Sequence, residues 1–146
     1  MRSTPCVGIC STTYGDLICR GCKRFSHEIV AWNVYNDDQR ERIWKRLYAL
    51  RDQATAVFIA ISDEQRLRDA VSAARLEFRA EMSLLTLSYE VLRRRARELH
   101  SLDSIGLLAL DEHRGEPVGV RDAIDTEFHL RSVAYFEHSF HTSVDS

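Results

Sequence analysis

The chain has 146 residues, of which 45% are hydrophobic and 29% charged, and its formal net charge at pH 7 is −2. This composition is typical of a soluble globular protein of one domain, or of a small module attached to a modest domain, and it excludes a disordered tail. No apolar run is as long as a membrane span, and no signal-peptide pattern precedes the first cysteine. We therefore expect a cytoplasmic protein without membrane contact.

The charge differs between the two ends of the chain. Residues 1–52 carry nine Lys and Arg against six Asp and Glu, whereas residues 53–146 carry eleven against sixteen. We predict a basic four-cysteine module with its supporting helix at residues 1–54. An acidic, mostly helical extension is predicted at residues 55–146.

Hydrophobic periodicity predicts a mainly α fold, in which a metal-bound loop packs on a helix and a small helical portion follows. Capping patterns precede two of the expected helices, where an Asn or Ser is followed three residues later by a Gln. Helices are predicted over residues 37–54, from the capping pattern at Ser62 to Phe78, over residues 83–100 and over residues 120–140.

Shorter segments carry further expectations. Residues 57–61 are apolar and β-prone, which predicts either a strand or a buried linker. Trp32, Trp44 and Tyr48 are interpreted as core residues beneath the cysteine loop, in preference to a platform for stacking bases. Leu130 is expected to face inward from the last helix.

All four cysteines lie within the first 22 residues, in the pattern C-x3-C-x8-C-x2-C. That stretch is too short to build a hydrophobic core, so binding of a shared metal ion would supply the free energy for it to fold. Thiolates favour Zn²⁺ and iron–sulfur clusters, and the paired spacing fits a closed zinc site. Gly21 is expected to ease the turn within the second pair. The predicted metal ligands are Cys6, Cys10, Cys19 and Cys22, with Zn²⁺ as the metal and an iron–sulfur cluster as the alternative.

These cysteines and their neighbours resemble the bacterial domain-of-unknown-function family 1289 over about residues 4–50. The resemblance rests on residues 5–10, 17–24 and 28–32, which hold the four cysteines together with Gly21, Arg24, Glu28 and Trp32. Members are small proteins described as predicted iron–sulfur proteins. The resemblance implies a metal centre and a bacterial cytoplasmic setting, and it implies no reaction.

Three residues inside this segment carry specific expectations. Phe25 departs from the family pattern, because many members have threonine there. Arg24 and Glu28 are four residues apart. They are expected either to pair across one helical turn or to orient the cysteine loop through backbone contacts.

Two weaker patterns are weighed against ordinary surface roles. Histidines near the end of the last helix suggest a second metal clip, although solvated side chains in a fraying segment explain them as well. A run of arginines suggests phosphate contacts, with a solvated helix face as the alternative. The histidines are His129, His138 and His141, and the arginines are Arg93, Arg94, Arg95 and Arg97.

The sequence contains no nucleophile-elbow or phosphate-loop motif, and four thiolates would leave a zinc ion no open position for substrate. We therefore expect a protein that is not an enzyme. The predicted function is a non-catalytic metal-binding adaptor or regulatory protein that contacts a macromolecule, with another protein as the expected partner. The alternatives are an iron–sulfur redox or iron-sensing protein and a nucleic-acid-binding regulator.

Overall fold

The computed structural model describes residues 4–8, 10–76, 82–110 and 116–141, and most of these are helical. The prediction of a mainly α fold is therefore confirmed. The α-helices are α1 Ser26–Ala31, α2 Asp37–Phe58, α3 Glu64–Ala73, α4 Leu84–Arg95 and α5 Pro117–Phe136. The strands are β1 Ile59–Ile61 and β2 Leu107–Ala109. Single 3₁₀ turns span Ser11–Tyr14, Trp32–Val34, Ala96–Glu98 and Asp103–Ile105, and a π turn spans Glu137–His141.

Local side-chain contacts explain where two of the helices begin. Asn36 and Gln39 exchange two hydrogen bonds of 2.9 Å between the backbone N–H of one and the side-chain oxygen of the other, which starts α2. The Asp63 carboxylate accepts a hydrogen bond from the Arg66 N–H at 3.1 Å and starts α3. The predicted continuation of this helix to Phe78 lies outside the described residues.

Packing divides the described residues into two compact units. The first contains residues up to 50 together with residues 128–141, and the second contains residues 51–127. Whether residues 1–54 fold independently of residues 55–146 stays a prediction, because compact packing does not test independent folding.

Aromatic residues form much of the core of the first unit. Trp32, Trp44 and Tyr48 are all buried, and the rings of Trp44 and Tyr48 lie 5.5 Å apart. Their interpretation as core residues is confirmed. The inward position predicted for Leu130 is wrong, because its side chain is 58% exposed. Phe128 and Ser132, one turn apart on α5, are buried, and residue 130 falls on the opposite side of the helix.

The second unit is built around the two short strands. Strands β1 and β2 pair antiparallel, with Ile59 opposite Ala109 and Ile61 opposite Leu107. Of the two alternatives for residues 57–61, the structure shows a strand at Ile59–Ile61, while residues 57 and 58 belong to α2. None of the helices that the structure describes is both long and apolar enough to cross a membrane.

Candidate metal centre

The second cysteine pair lies on a tight turn closed by backbone hydrogen bonds. The Cys19 N–H donates to the Arg24 carbonyl and the Lys23 N–H donates to the Cys19 carbonyl, each at 2.9 Å. Lys23 completes the turn in the left-handed region, with φ of 67°. The sequence predicted that Gly21 would relieve the steric cost of this turn. In the structure, the residue with a left-handed backbone conformation is Lys23.

The electrostatic surroundings of the two thiols in this turn differ. Burial is the largest influence on the pKa of Cys19 and raises it, but hydrogen bonds from the backbone N–H groups of Cys22, Ser11 and Gly21 and from the Cys22 thiol outweigh it. The pKa of Cys19 is consequently lowered from its usual 9.0. Burial raises the pKa of Cys22, although Arg24 Nε donates a hydrogen bond to its sulfur at 3.3 Å. The surroundings of the turn thus favour the thiolate form of Cys19 and disfavour that of Cys22.

Lys23 supports the turn from inside the protein. Its side chain is fully buried, and Nζ donates to the carbonyl oxygens of Arg20 and Gly21. The ammonium also lies 5.5 Å from the centre of the Phe128 ring. Nothing in the sequence spacing around Lys23 indicates burial.

The first cysteine pair is less enclosed. Cys6 and Cys10 are half-buried. The Gly8 N–H points at the Cys6 sulfur at 3.4 Å, and the Cys10 sulfur lies 2.9 Å from Thr12 Oγ1. Within the described ranges, no three His, Cys, Asp or Glu side chains are grouped closely enough to hold a metal ion. The structure therefore brings Cys19 and Cys22 together, and the four-ligand site stays a prediction. The donor set itself, four soft sulfurs close in sequence with N–H groups directed at three of them, fits a thiophilic metal.

Glu28 organises the backbone that follows the turn. Its Oε1 accepts a hydrogen bond from the Phe25 N–H at 2.8 Å, which caps the start of α1. Both carboxylate oxygens also accept from Arg46, at 2.5 and 2.7 Å. Of the two expected roles, Glu28 thus takes the backbone-orienting one. Arg24 contacts the Cys22 sulfur, and its guanidinium lies 4.9 Å from the Trp32 ring centre.

Phe25 anchors an aromatic cluster. Its ring is 1% exposed and lies 4.9 Å from Phe136, 5.7 Å from Phe140 and 6.2 Å from Tyr135, measured between ring centres. The Arg46 guanidinium lies 4.0 Å from the Phe25 ring centre. Residues near the C-terminal end of the described chain therefore pack directly on the cysteine module.

The arginines at the end of α4 form ion pairs with acidic neighbours. Glu90 is buried and pairs with Arg93 at 3.0 Å and Arg94 at 3.6 Å, and Glu98 pairs with Arg95 at 2.8 Å. This face consequently offers less charge to phosphates than its sequence indicates.

Among the described residues, the histidines do not form the second metal clip that the sequence suggested. Neither His129 nor His138 belongs to a group of three metal-ligating side chains among the described residues. The side chain of His141 lies outside the described set.

Comparison with known proteins gives one match. Residues 4–51 match the family model described as "Protein of unknown function (DUF1289)", so the resemblance seen in the cysteine motif is confirmed over this segment. No curated protein and no solved structure matches the chain. The matched segment ends within α2 and excludes the C-terminal aromatics that pack on Phe25.

Proposed function

The chain carries a DUF1289 segment at residues 4–51, and from this premise we propose that it is a non-catalytic metal-binding protein whose metal stabilises an adaptor or regulatory module. The proposed ligands of one zinc ion are the sulfurs of Cys6, Cys10, Cys19 and Cys22. When bound, zinc would supply a covalent-like crosslink to a segment that has little core of its own.

One observation carries this proposal: the turn from Cys19 to Cys22 aims several N–H donors at sulfur. Such donors stabilise a thiolate, which is the form that binds metal. Arg24 adds a charge-assisted donor to the Cys22 sulfur and would offset part of the negative charge of four thiolates. A free thiol gains little from this arrangement, so a bound cation explains it better.

Exposed apolar side chains on the same unit support a protein partner. Val30 and Val34 lie one helical turn apart and are 85% and 84% exposed, while Tyr14 and Leu17 are 91% and 63% exposed. Contiguous apolar patches at a surface mark contact sites, and the neighbouring side chains of Val30 and Val34 would form the centre of such a patch. We expect the double variant Val30→Ser, Val34→Ser to lose partner capture from cells that make the protein, while Leu110→Ser in the second unit retains it.

Metal analysis of protein purified without oxygen tests the metal and its ligands. We expect about one equivalent of zinc, no visible absorption, and loss of the metal in the variants Cys19→Ser and Cys22→Ser. Tyr14→Ser is the matched control, because Tyr14 lies between the two cysteine pairs and is 91% exposed.

The same measurement distinguishes the alternatives. Iron and sulfide with charge-transfer absorption would overturn zinc in favour of an iron–sulfur cluster on the same thiolates. Protein that holds neither metal and forms disulfides on isolation would contradict both metal hypotheses.

A further inference from the structure

A second polar site lies in the first unit, next to the cysteine turn. It is an open cleft of about 420 Å³, a volume within the range of small-ligand sites. The cleft is lined by Thr4, Arg24, Ile29, Trp32, Asn33 and Arg40.

Arg24 is the unusual member of this lining. The residue is only 4% exposed, and its Nε is held by the Cys22 sulfur. Among the described residues, its two Nη atoms have no hydrogen-bond acceptor, although the side chain lines the cleft. An oxyanion in the cleft would accept two parallel N–H bonds from these Nη atoms.

Arg40 supplies a second fixed cation. Its Nε and Nη2 donate to the carbonyl oxygens of Trp32 and Asn33, at 3.0 and 3.2 Å. The neighbouring acid, Asp37, lies 3.7 Å from Nη1, but its side chain is 99% exposed and therefore screened by water. No carboxylate lines the cleft, so its described lining is positively charged.

We propose that this cleft binds the oxyanion group, phosphate or carboxylate, of a small ligand. The Nη atoms of Arg24 grip the oxyanion, Arg40 adds charge, and the Asn33 amide and Ile29 contact the rest of the ligand. Trp32 is 7% exposed and already faces the Arg24 guanidinium, so it positions Arg24 and does not stack on the ligand. This site needs no residue of the proposed zinc set.

Titration of the full-length protein with inorganic phosphate and, separately, with acetate tests the proposal. Amide NMR shifts are followed while sodium chloride keeps the ionic strength constant. Wild-type protein is expected to show saturable shifts at residues 24–40. Arg24→Gln and Arg40→Gln are each expected to weaken binding by about tenfold or more, since the first removes charge-assisted hydrogen bonds and the second removes a nearby positive charge.

Arg42→Gln is the matched control, because it removes the same charge from an exposed position on α2 outside the cleft. Saturation by phosphate alone supports a phosphate ligand, and saturation by acetate supports a carboxylate. Absence of saturation with either ion, or equal weakening in Arg42→Gln, overturns the proposal. If Arg24→Gln unfolds the turn, Arg40→Gln still decides the matter. Zinc content measured on the same samples keeps this result separate from the proposed metal.

Discussion

At the scale of single residues, the bidentate pair of Glu28 and Arg46 is the main electrostatic contact of the cysteine module. Their side chains are 7% and 11% exposed, so removing one charge leaves the other buried without its partner. We expect Glu28→Gln to lower the free energy of unfolding of the first unit by about 3–5 kcal/mol. Chemical denaturation followed by tryptophan fluorescence measures this, because both tryptophans lie in that unit.

The control for this prediction is Asp16→Asn, which lies in the same unit as both tryptophans. Asp16 pairs with Arg20 at 3.5 Å, but the two side chains are 42% and 71% exposed. A surface pair of this kind contributes about 0.5 kcal/mol or less. Equal effects of the two substitutions would contradict the structural role assigned to Glu28.

Glu90 gives the second unit a defined acid sensitivity. Burial raises the pKa of this carboxyl, but Arg51, Arg93 and Arg94 outweigh burial and hold the pKa below its usual 4.5. The folded state therefore binds fewer protons than the unfolded state in this range, and the stabilisation is present above pH 4.5 and lost as the pH falls through the lowered pKa. Thermal unfolding between pH 7 and pH 3 should show this loss.

Replacement of the Glu90 carboxyl tests whether this group causes the loss of stability in acid. Glu90→Gln is expected to be less stable at pH 7 and to show a smaller further loss on acidification. Glu98→Gln, at an exposed position, should retain the wild-type acid dependence. Identical acid profiles for wild type and Glu90→Gln would show that other carboxyls control the transition.

At this scale, the sequence predicts an interaction when the two residues are close together in the chain, and it does not when they are far apart. The turn around Cys19 and Cys22 is local, and its cysteine spacing is visible in the sequence. Glu28 and Arg46 are 18 residues apart, and their pairing depends on how α1 packs against α2. Lys23 is buried by tertiary packing, which a hydropathy pattern does not report for a lysine.

At the scale of elements, Gly106 connects the last 3₁₀ turn to β2. Its φ is 75°, and its carbonyl accepts hydrogen bonds from the N–H groups of Ser62 and Asp63, at 2.8 and 3.1 Å. A Cβ at this position would overlap the carbonyl oxygen of Asp63, where α3 begins. We expect Gly106→Ala to destabilise the second unit by about 2–4 kcal/mol, measured by thermal denaturation followed by circular dichroism.

Gly119→Ala provides the opposite expectation within the same unit. Gly119 lies in the first turn of α5, and a Cβ there would meet no heavy atom within 4 Å. This substitution should be neutral or should stabilise the protein by up to about 1 kcal/mol. Destabilisation of similar size by both alanines would contradict the close approach at Gly106.

Helix starts were more predictable than helix ends. The capping contacts of Asn36 and Asp63 join residues three apart, so they are visible in the sequence. Helix α3 instead ends at Ala73, shortly before Arg75 takes a left-handed conformation. The pairing of β1 with β2 joins segments almost fifty residues apart, which explains why the sequence left residues 57–61 undecided between strand and linker.

At the scale of the whole molecule, the C-terminal residues of the described chain belong to the N-terminal unit. The aromatic contacts of Phe25 with Tyr135, Phe136 and Phe140 join positions more than one hundred residues apart. Phe25 lies inside the segment matched by the family model, at residues 4–51, whereas its three aromatic partners lie outside it. A phenylalanine at position 25 supplies the apolar surface on which these rings pack, which threonine would not.

This packing predicts how far the loss of one cysteine spreads. Cys22→Ser should remove one of the proposed metal ligands, unfold the cysteine turn, and release the aromatic residues that pack on Phe25. Two-dimensional amide NMR should show loss of dispersion for residues 10–35 and for residues 128–141. Residues 59–76 and 82–110 of the second unit should keep their native shifts, because packing places them in a separate compact unit. Tyr14→Ser should leave the whole spectrum native. Native shifts for residues 128–141 in the Cys22→Ser variant would contradict this prediction, because the C-terminal segment would then keep its structure without the cysteine turn.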